Sequence, residues 1–253
     1  MTTCIRTVLR HYRNAVEPVE DTLAEEHCLA VVVDDAESVR TMSTPGEDEE
    51  LVLGHLFTEG RIRRPRDVRS MRFHYPGKGR TVAEVELAPE AGDGRPVSLP
   101  SGACLDAGEI FRLMRKMESM QAVFRRTGAT HCAALFDKGG RILSMAEDIG
   151  RHNALDKVIG SALRDGLLDR ALVATMSSRL SCELVCKAAA AGLTFLCGLS
   201  VATGLAVDLA AEKGITLAGR VRDGRMNVYS HRERVLWPQQ HAEPGGRLCD
   251  SAS

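Results

Sequence analysis

Aromatic residues are scarce, at 4% of the chain with a single Trp. A core must therefore rest on Ala, Val, Leu and Ile, and stacking platforms for nucleic-acid bases are few. Excess charge of either sign is also lacking: 33 Lys and Arg balance 34 Asp and Glu, a formal net charge of −1. That excludes a strongly basic nucleic-acid binder and an acidic disordered tail protein. No CxxC occurs among the eight cysteines, at 4, 28, 104, 132, 182, 186, 197 and 249, so there is no paired zinc pattern. No apolar run follows the basic residues of 1–13, so no export signal is expected and the thiols should be reduced, in a cytoplasmic protein. Residues 188–207 carry no charge and are about long enough to cross a bilayer. Gly192, Gly198 and Gly204 punctuate them, and they read as a helix end, a buried strand at 193–199 and a new helix near Thr203.

What is present is the composition of an ordinary globular protein, 44% hydrophobic and 26% charged. The 253 residues suit one large domain or two small ones. Residues 1–100 read as a smaller, strand-rich part. They include a strand at 28–33, a helix starting at Ser43-Thr44-Pro45 and running to Glu59 before Gly60, and a strand at 81–87. Residues 90–101 hold Gly, Pro and Asp, the mark of a junction. Ile110, Leu113, Met114, Met117, Met120 and Phe124 form a helical stripe over 107–126. Strand and helix patterns then alternate to Arg222, which predicts a three-layer α/β core over 101–237 with a mostly parallel sheet. Residues 238–253 read as a frayed tail.

Four clusters carry chemistry. Glu147-Asp148-Ile149-Gly150-Arg151-His152-Asn153-Ala154-Leu155-Asp156-Lys157 follows a strand and opens a helix, a junction whose free N–H groups suit an anion. Gly219-Arg220-Val221-Arg222-Asp223-Gly224-Arg225 has a hairpin turn at Asp223-Gly224 amid guanidiniums that match phosphate oxygens. In Ser177–Lys187, Cys182 and Cys186 share a helical face, so two metal ligands are geometrically possible, but packing is the favoured reading because no nearby His completes a set. Cys104, in Pro100–Gly108, stands amid small residues ahead of a helix, a setting for a reactive thiol. Burial is expected for the other seven cysteines.

Thr127-Gly128-Ala129-Thr130-His131 and the 147–160 string, with Thr44-Pro45, Glu59-Gly60, Arg179-Leu180-Ser181 and Asn227-Val228-Tyr229-Ser230, closely resemble the formate dehydrogenase accessory sulfurtransferase family, FdhD. The resemblance implies a cytoplasmic homodimer with a fold similar to the cytidine deaminases, without zinc or any structural metal. It implies that sulfur passes as a persulfide on Cys104 from a cysteine desulfurase to the molybdenum (or tungsten) bis(molybdopterin guanine dinucleotide) cofactor of the formate dehydrogenase catalytic subunit. It places Arg220, Val221, Arg222, Asp223, Gly224 and Arg225 on the family's cofactor turn. No nucleic acid or membrane partner is implied. With the resemblance in view, Gly150, Arg151, His152, Asn153, Arg179 and His131 are further candidates for holding the cofactor. His131 and His152 could move protons, and Arg151, Arg179, Lys187, Arg222 and Arg225 could hold pyrophosphates. Asp148, Asn153 and Asp156 would orient the site or read guanine edges.

Three departures from the family's pattern stand out. Its loop usually has a second Cys where Ala107 stands here, a Gly where Ser178 stands, and a Phe where Arg220 stands. The alternative reading is therefore a diverged, non-catalytic chaperone that docks the cofactor onto its target. Two structural expectations follow: the Cys104 loop lies at the junction of the two parts, and Gly150–Asn153 converges with Arg222–Arg225 on one anion.

Overall fold

The computed structural model describes residues 2–92, 102–222 and 224–237; the 93–101 junction, Asp223 and the 238–253 tail lie outside the described residues. The chain opens on an antiparallel ribbon, β1 (Thr3–His11) with β2 (Val16–Ala24). No strand is legible at β1, because its apolar residues stay out of the core: Ile5 is 60% exposed and Leu9 65%. Then come β3 (His27–Val33), β4 (Ala36–Ser43), α1 (Asp48–Thr58), β5 (Val68–Gly77) and β6 (Arg80–Leu87). They form a four-stranded sheet in the order β4-β3-β6-β5, with β3 and β6 parallel at its centre. The helix starts later than Ser43, because β4 runs through that residue and Glu47 turns the chain with φ +57°. Its acidic first turn, Asp48 to Glu50, and the positive φ of Gly60 at its exit are as the sequence predicts.

The second half runs β7 (Leu105–Asp106), α2 (Ala107–Met120), α3 (Ala122–Thr127), β8 (His131–Asp137), β9 (Ile142–Asp148), α4 (Arg151–Arg164), β10 (Ala171–Met176), α5 (Cys182–Ala190), β11 (Phe195–Gly198), α6 (Gly204–Lys213), β12 (Thr216–Arg222), β13 (Arg225–Val228) and β14 (Val235–Leu236). The uncharged 188–207 stretch divides as expected into a helix end, a strand and a helix start. No helix among the described residues is long and apolar enough to cross a membrane. The main sheet has the order β13-β12-β11-β10-β8-β9. It is mixed rather than mostly parallel. Only β10/β11 and β11/β12 pair in parallel, while β8/β9, β10/β8 and β12/β13 are antiparallel. The cause is local. Asp137 accepts the N–H groups of Gly139 and Arg141, closing a tight turn between β8 and β9. A turn that short leaves no room for the crossover a parallel pair needs.

Side chains alternate along β8 between two cores. Cys132, Ala134 and Phe136 pack with Ile110, Leu113, Met114 and Met117 of α2. Ala133 and Leu135 pack on the other face with Leu155, Val158 and Ile159 of α4 and Leu184 and Val185 of α5. Helices thus cover both faces of the sheet. The single helix expected over 107–126 is two, broken at Gln121. Glu147 at the end of β9 accepts the N–H groups of Val123 and Phe124, which starts α3 on a new axis. Met120 and Phe124 are left 43% and 44% exposed.

The two halves share one core, which runs from Leu29, Val31 and Val33 through α1 to α4. Where α1 meets α4 the backbones touch. A Cβ on Gly54 would stand 1.9 Å from the Asp156 carbonyl oxygen, and one on Gly160 1.9 Å from that of Glu50. Gly→Ala inside a helix normally stabilises by about 0.5–1 kcal/mol. Gly54→Ala is expected to do the opposite, lowering the urea unfolding free energy by about 1–3 kcal/mol through overpacking. An unchanged or raised midpoint would show that the two helices can separate without cost.

Candidate functional site

Strands β9, β10, β11 and β12 all run the same way and β8 runs against them. The last residues of those four strands and the first of β8 therefore share one edge of the sheet. That edge gathers His131, the Asp148–Arg151 turn, the Ser177–Arg179 loop, Leu199–Ser200 and Arg222. Ligands of open α/β sheets bind outside the carboxyl ends of strands.

The 147–157 string is divided between this edge and the interior. Asp148 is fully buried. Its carboxylate accepts from Thr44 N (3.0 Å), Gly150 N (2.8 Å), Asn153 Nδ2 (2.9 Å) and Lys157 Nζ (2.9 Å). Lys157, 1% exposed, also donates to the Thr44 carbonyl at 3.0 Å. Asn153 donates to the Met42 carbonyl and accepts from Thr41 Oγ1. Asp156 accepts from Thr58 Oγ1 and from Lys187 Nζ at 2.9 and 3.0 Å. Burial outweighs that ammonium and pushes the Asp156 carboxyl up to about 6. Of the two roles expected of Asp148, Asn153 and Asp156, orienting the site or reading guanine edges, these contacts fit the first, while Asn153, Asp156 and Lys187 also line a cavity of about 290 Å³. Their polar groups are spent on one another and on β4 and α1. Gly150 likewise gives its N–H to Asp148 rather than to an anion.

Arg151 and His152 remain half-buried at the edge. His131 lies near enough to Arg151 and the exposed Arg179 to be affected by both. Burial first, then these two guanidiniums, hold its imidazole below the ordinary value. Burial and Arg151 do the same to His152, whose Nε2 is 2.7 Å from Glu183 Oε2 and 3.4 Å from Ser181 Oγ. Two imidazoles held below their ordinary pKa stand beside two guanidiniums that could hold anions nearby. Ser178 turns inward, its hydroxyl bonded to the Arg179 carbonyl.

At the other end of the same edge, Arg220, Arg222, Arg225 and Asn227 line a cavity of about 430 Å³ with Leu199, Ser200 and Val201. Arg220 has φ +53° at a bulge, and its N–H donates to the Ser200 carbonyl. Arg222 donates to the Leu199 carbonyl at 3.0 Å. The hairpin is as expected, with Arg222 opposite Arg225 and Gly224 at φ +72°; Asp223 is outside the described residues. Val221 is a correction, since it is fully buried in the core beneath α2. So is the convergence on one anion: β11, β10 and β8 separate β12 from β9, which at about 4.8 Å per strand is roughly 19 Å.

Cys104 is exposed and immediately precedes β7. The first turn of α2 lies against the β8–β9 turn, where Arg112 and Glu109 crowd Gly140, and α3, which follows directly after α2, begins against Glu147. Cys104 therefore sits at the end of the sheet away from the Arg and His residues. Asp106, not the thiol, caps α2 by accepting from Gly108 N at 2.7 Å. Among the described cysteines only Cys132 and Cys197 are buried. Burial pushes both thiols up, Cys197 to about 12. Cys4, Cys28 and Cys182 are half-buried and Cys186 is exposed, which corrects the expectation of burial; Cys249 is outside the described residues. No group of three or more His, Cys, Asp and Glu among the described residues is placed to hold a metal.

One cavity was not legible in the sequence. About 290 Å³ in volume, it lies between β3, β4, α1 and the start of α4, with His55, Glu59, His152 and Lys187 among its walls. Burial and Lys187 bring the His55 imidazole down to about 4. Its lining comes from separate stretches of chain, so no local motif announces it.

The sequence model of the FdhD/NarQ family matches residues 24–92 and 77–236. This chain is 39% identical over 248 residues to the sulfur carrier protein FdhD of Sulfurisphaera tokodaii, covering 88% of this chain and 96% of that protein. It is 40% identical over 270 residues to the FdhD of Anaeromyxobacter dehalogenans, covering 91% and 92%. To that of Bacillus subtilis it is 33% identical over 274 residues, covering 92% and 97%. A crystal structure assigned as a formate dehydrogenase accessory protein from Desulfotalea psychrophila superposes with a TM-score of 0.79 at 26% identity, over 93% of this chain and all of that one.

Proposed function

Because the chain belongs to the FdhD/NarQ family, we propose that it is a sulfur carrier for formate dehydrogenase, working in the cytoplasm as a sulfurtransferase. The Cys104 thiolate attacks the outer sulfur of a cysteine desulfurase persulfide. A new sulfur–sulfur bond forms on Cys104 as the desulfurase thiolate leaves. The Cys104 sulfur–sulfur bond then breaks, Cys104 leaving as a thiolate. The outer sulfur passes as a sulfido ligand to the metal of the cargo, the molybdenum bis(molybdopterin guanine dinucleotide) cofactor, whose reduced metal supplies the two electrons. The cargo goes on to the formate dehydrogenase catalytic subunit. The observation that carries this reading is the exposure of Cys104, next to a helix start and open to a protein donor. The exposed apolar row of Ile5, Leu9 and Val16 on the ribbon supports a homodimer.

The cargo's phosphates are assigned to the carboxyl edge, with Arg222 and Arg225 at one end and Arg151 and Arg179 at the other. Two anion sites about 19 Å apart suit an extended dinucleotide better than one shared pyrophosphate does. Arg225→Ala should weaken GDP binding by about 1.5–3 kcal/mol, the range for a hydrogen bond to a charged group. It should leave persulfide loading on Cys104 unchanged, because loading happens at the other end. Isothermal titration reads the first effect and mass spectrometry the second. Unchanged GDP affinity would return the hairpin to a solvated turn.

A second reading is favoured by Ala107. A loop with one thiol can hold sulfur but has no neighbour to receive it, which fits a chaperone that only binds and docks the cofactor.

A further inference from the structure

The cavity of about 290 Å³ between β3, β4, α1 and the start of α4 is left unused by this reading. Its volume is near the lower end for small-molecule sites, about 300–1,000 Å³. Leu29, Val31 and Leu51, all buried, and the half-buried Val39 give it an apolar wall. Most of its polar wall is already spent. Lys187 Nζ donates to both Asp156 oxygens and to Thr58 Oγ1, three bonds for its three protons. Asn153 gives its amide protons to the Met42 carbonyl and to Asp148. Arg40, exposed on β4, is held by Glu37. These cations are paired, so the cavity suits an uncharged ring better than a phosphate. His55 and Glu59 differ. His55 Nε2 is shut off from solvent and has no hydrogen-bond partner among the described residues. Buried polar atoms are almost always paired, so an unpaired one in a cavity wall points to a ligand. Burial and Lys187 keep that imidazole neutral, with one nitrogen to donate and one to accept. Glu59, directly after α1, has its carboxylate 4.0 Å from Lys187 Nζ, too long for a hydrogen bond. Gly150 and His152 also line the cavity, on either side of Arg151 in the turn at the carboxyl edge.

We propose that this cavity is a base pocket, which takes a flat, uncharged heterocycle through a 2-amino-4-oxopyrimidine edge, the edge that guanine and pterins share. The proposal rests on the cargo assignment above, since that cofactor carries both rings. The Glu59 carboxylate accepts the ring N–H and the amino group side by side, and His55 donates to the ring carbonyl. The ring faces lie against the wall of Leu29, Val31 and Leu51. A nucleotide seated this way has its phosphate near Gly150 and Arg151, at the end of the edge already assigned to the cargo. Adenine is rejected, because at the same edge it has no 2-amino group and turns an unprotonated nitrogen toward the Glu59 carboxylate.

The test is isothermal titration of the full chain with guanosine, neopterin and adenosine. None carries a phosphate, so the arginines contribute little. We expect guanosine or neopterin to bind once per chain, and adenosine to bind about tenfold more weakly or worse. The tighter of the first two names the ring that the pocket holds. Glu59→Gln should weaken binding about tenfold or more; the side chain is 56% exposed, so the fold is kept. Val39→Phe, which fills the cavity from β4, should abolish binding, with the unliganded melting temperature showing that the chain is folded. Arg225→Ala should leave guanosine binding unchanged. The proposal is overturned if neither ring binds at millimolar concentration, or if adenosine binds as well as they do. It is overturned equally by an affinity that Glu59→Gln, or a folded Val39→Phe, does not move. Loss of guanosine in Arg225→Ala would place the base at the hairpin instead. No titration involves Cys104, so failure here leaves sulfur loading intact, and a Cys104 that never loads leaves this result standing.

Discussion

Cys104→Ala is expected to reduce formate dehydrogenase maturation to the level of a strain lacking the protein, while leaving the fold untouched. The side chain is exposed and outside any strand, so its truncation should change stability by no more than about 0.5 kcal/mol. A persulfide needs a sulfur nucleophile, and a hydroxyl cannot substitute, so Cys104→Ser should fail as completely as the alanine variant. The measurement is complementation of a deletion strain, scored as formate dehydrogenase activity. It is paired with mass spectrometry for one added sulfur after incubation with desulfurase and cysteine. Retained maturation in Cys104→Ala, with GDP binding intact, would decide for the docking chaperone.

Local signals in the sequence placed the elements well wherever burial is one-sided. The α2 stripe, the start of α4 and the strand–helix alternation after Arg141 all appear near their expected positions. Edge strands were harder to see. β4 and β5 carry Glu37, Arg40, Arg69 and Arg72 at exposed positions, so their apolar alternation is diluted by charge. The mixed sheet was written into two short connections, the Gly139-Gly140 turn and the link from Arg222 to its partner Arg225, each too short for a crossover. The 147–157 string was located correctly, but the inward pairing of most of its polar groups was not legible. Lys157 finds the Thr44 carbonyl 113 residues away, and no local pattern reveals that a dense polar string is satisfied from another part of the chain. What stays available at the edge, Arg151 and His152, are the two residues of the string that point away from that distant partner.

The largest stability effect is expected at Lys157, and it follows from the same inward pairing. Replacing it by Met keeps the volume but leaves the fully buried Asp148 carboxylate without the one cationic partner that the described residues place within hydrogen-bonding distance. Breaking a buried pair from one side costs about 3–5 kcal/mol, which for a chain of this size lowers Tm by roughly 6–20 °C. The three neutral donors that remain on Asp148 soften the loss but cannot supply a charge. The double variant Asp148→Asn/Lys157→Met removes both charges and should recover part of it, so the two substitutions should be strongly non-additive. Thermal melts of the two single variants and the double variant read this directly. Because Asp148 also takes the Gly150 and Asn153 donors at the start of α4, Lys157→Met should weaken GDP binding as well, by loosening the turn that presents Arg151 and His152. A Lys157→Met protein that melts within about 1 kcal/mol of wild type would mean that the string faces the ligand after all, and that its buried pairing is not what holds β4 to α4.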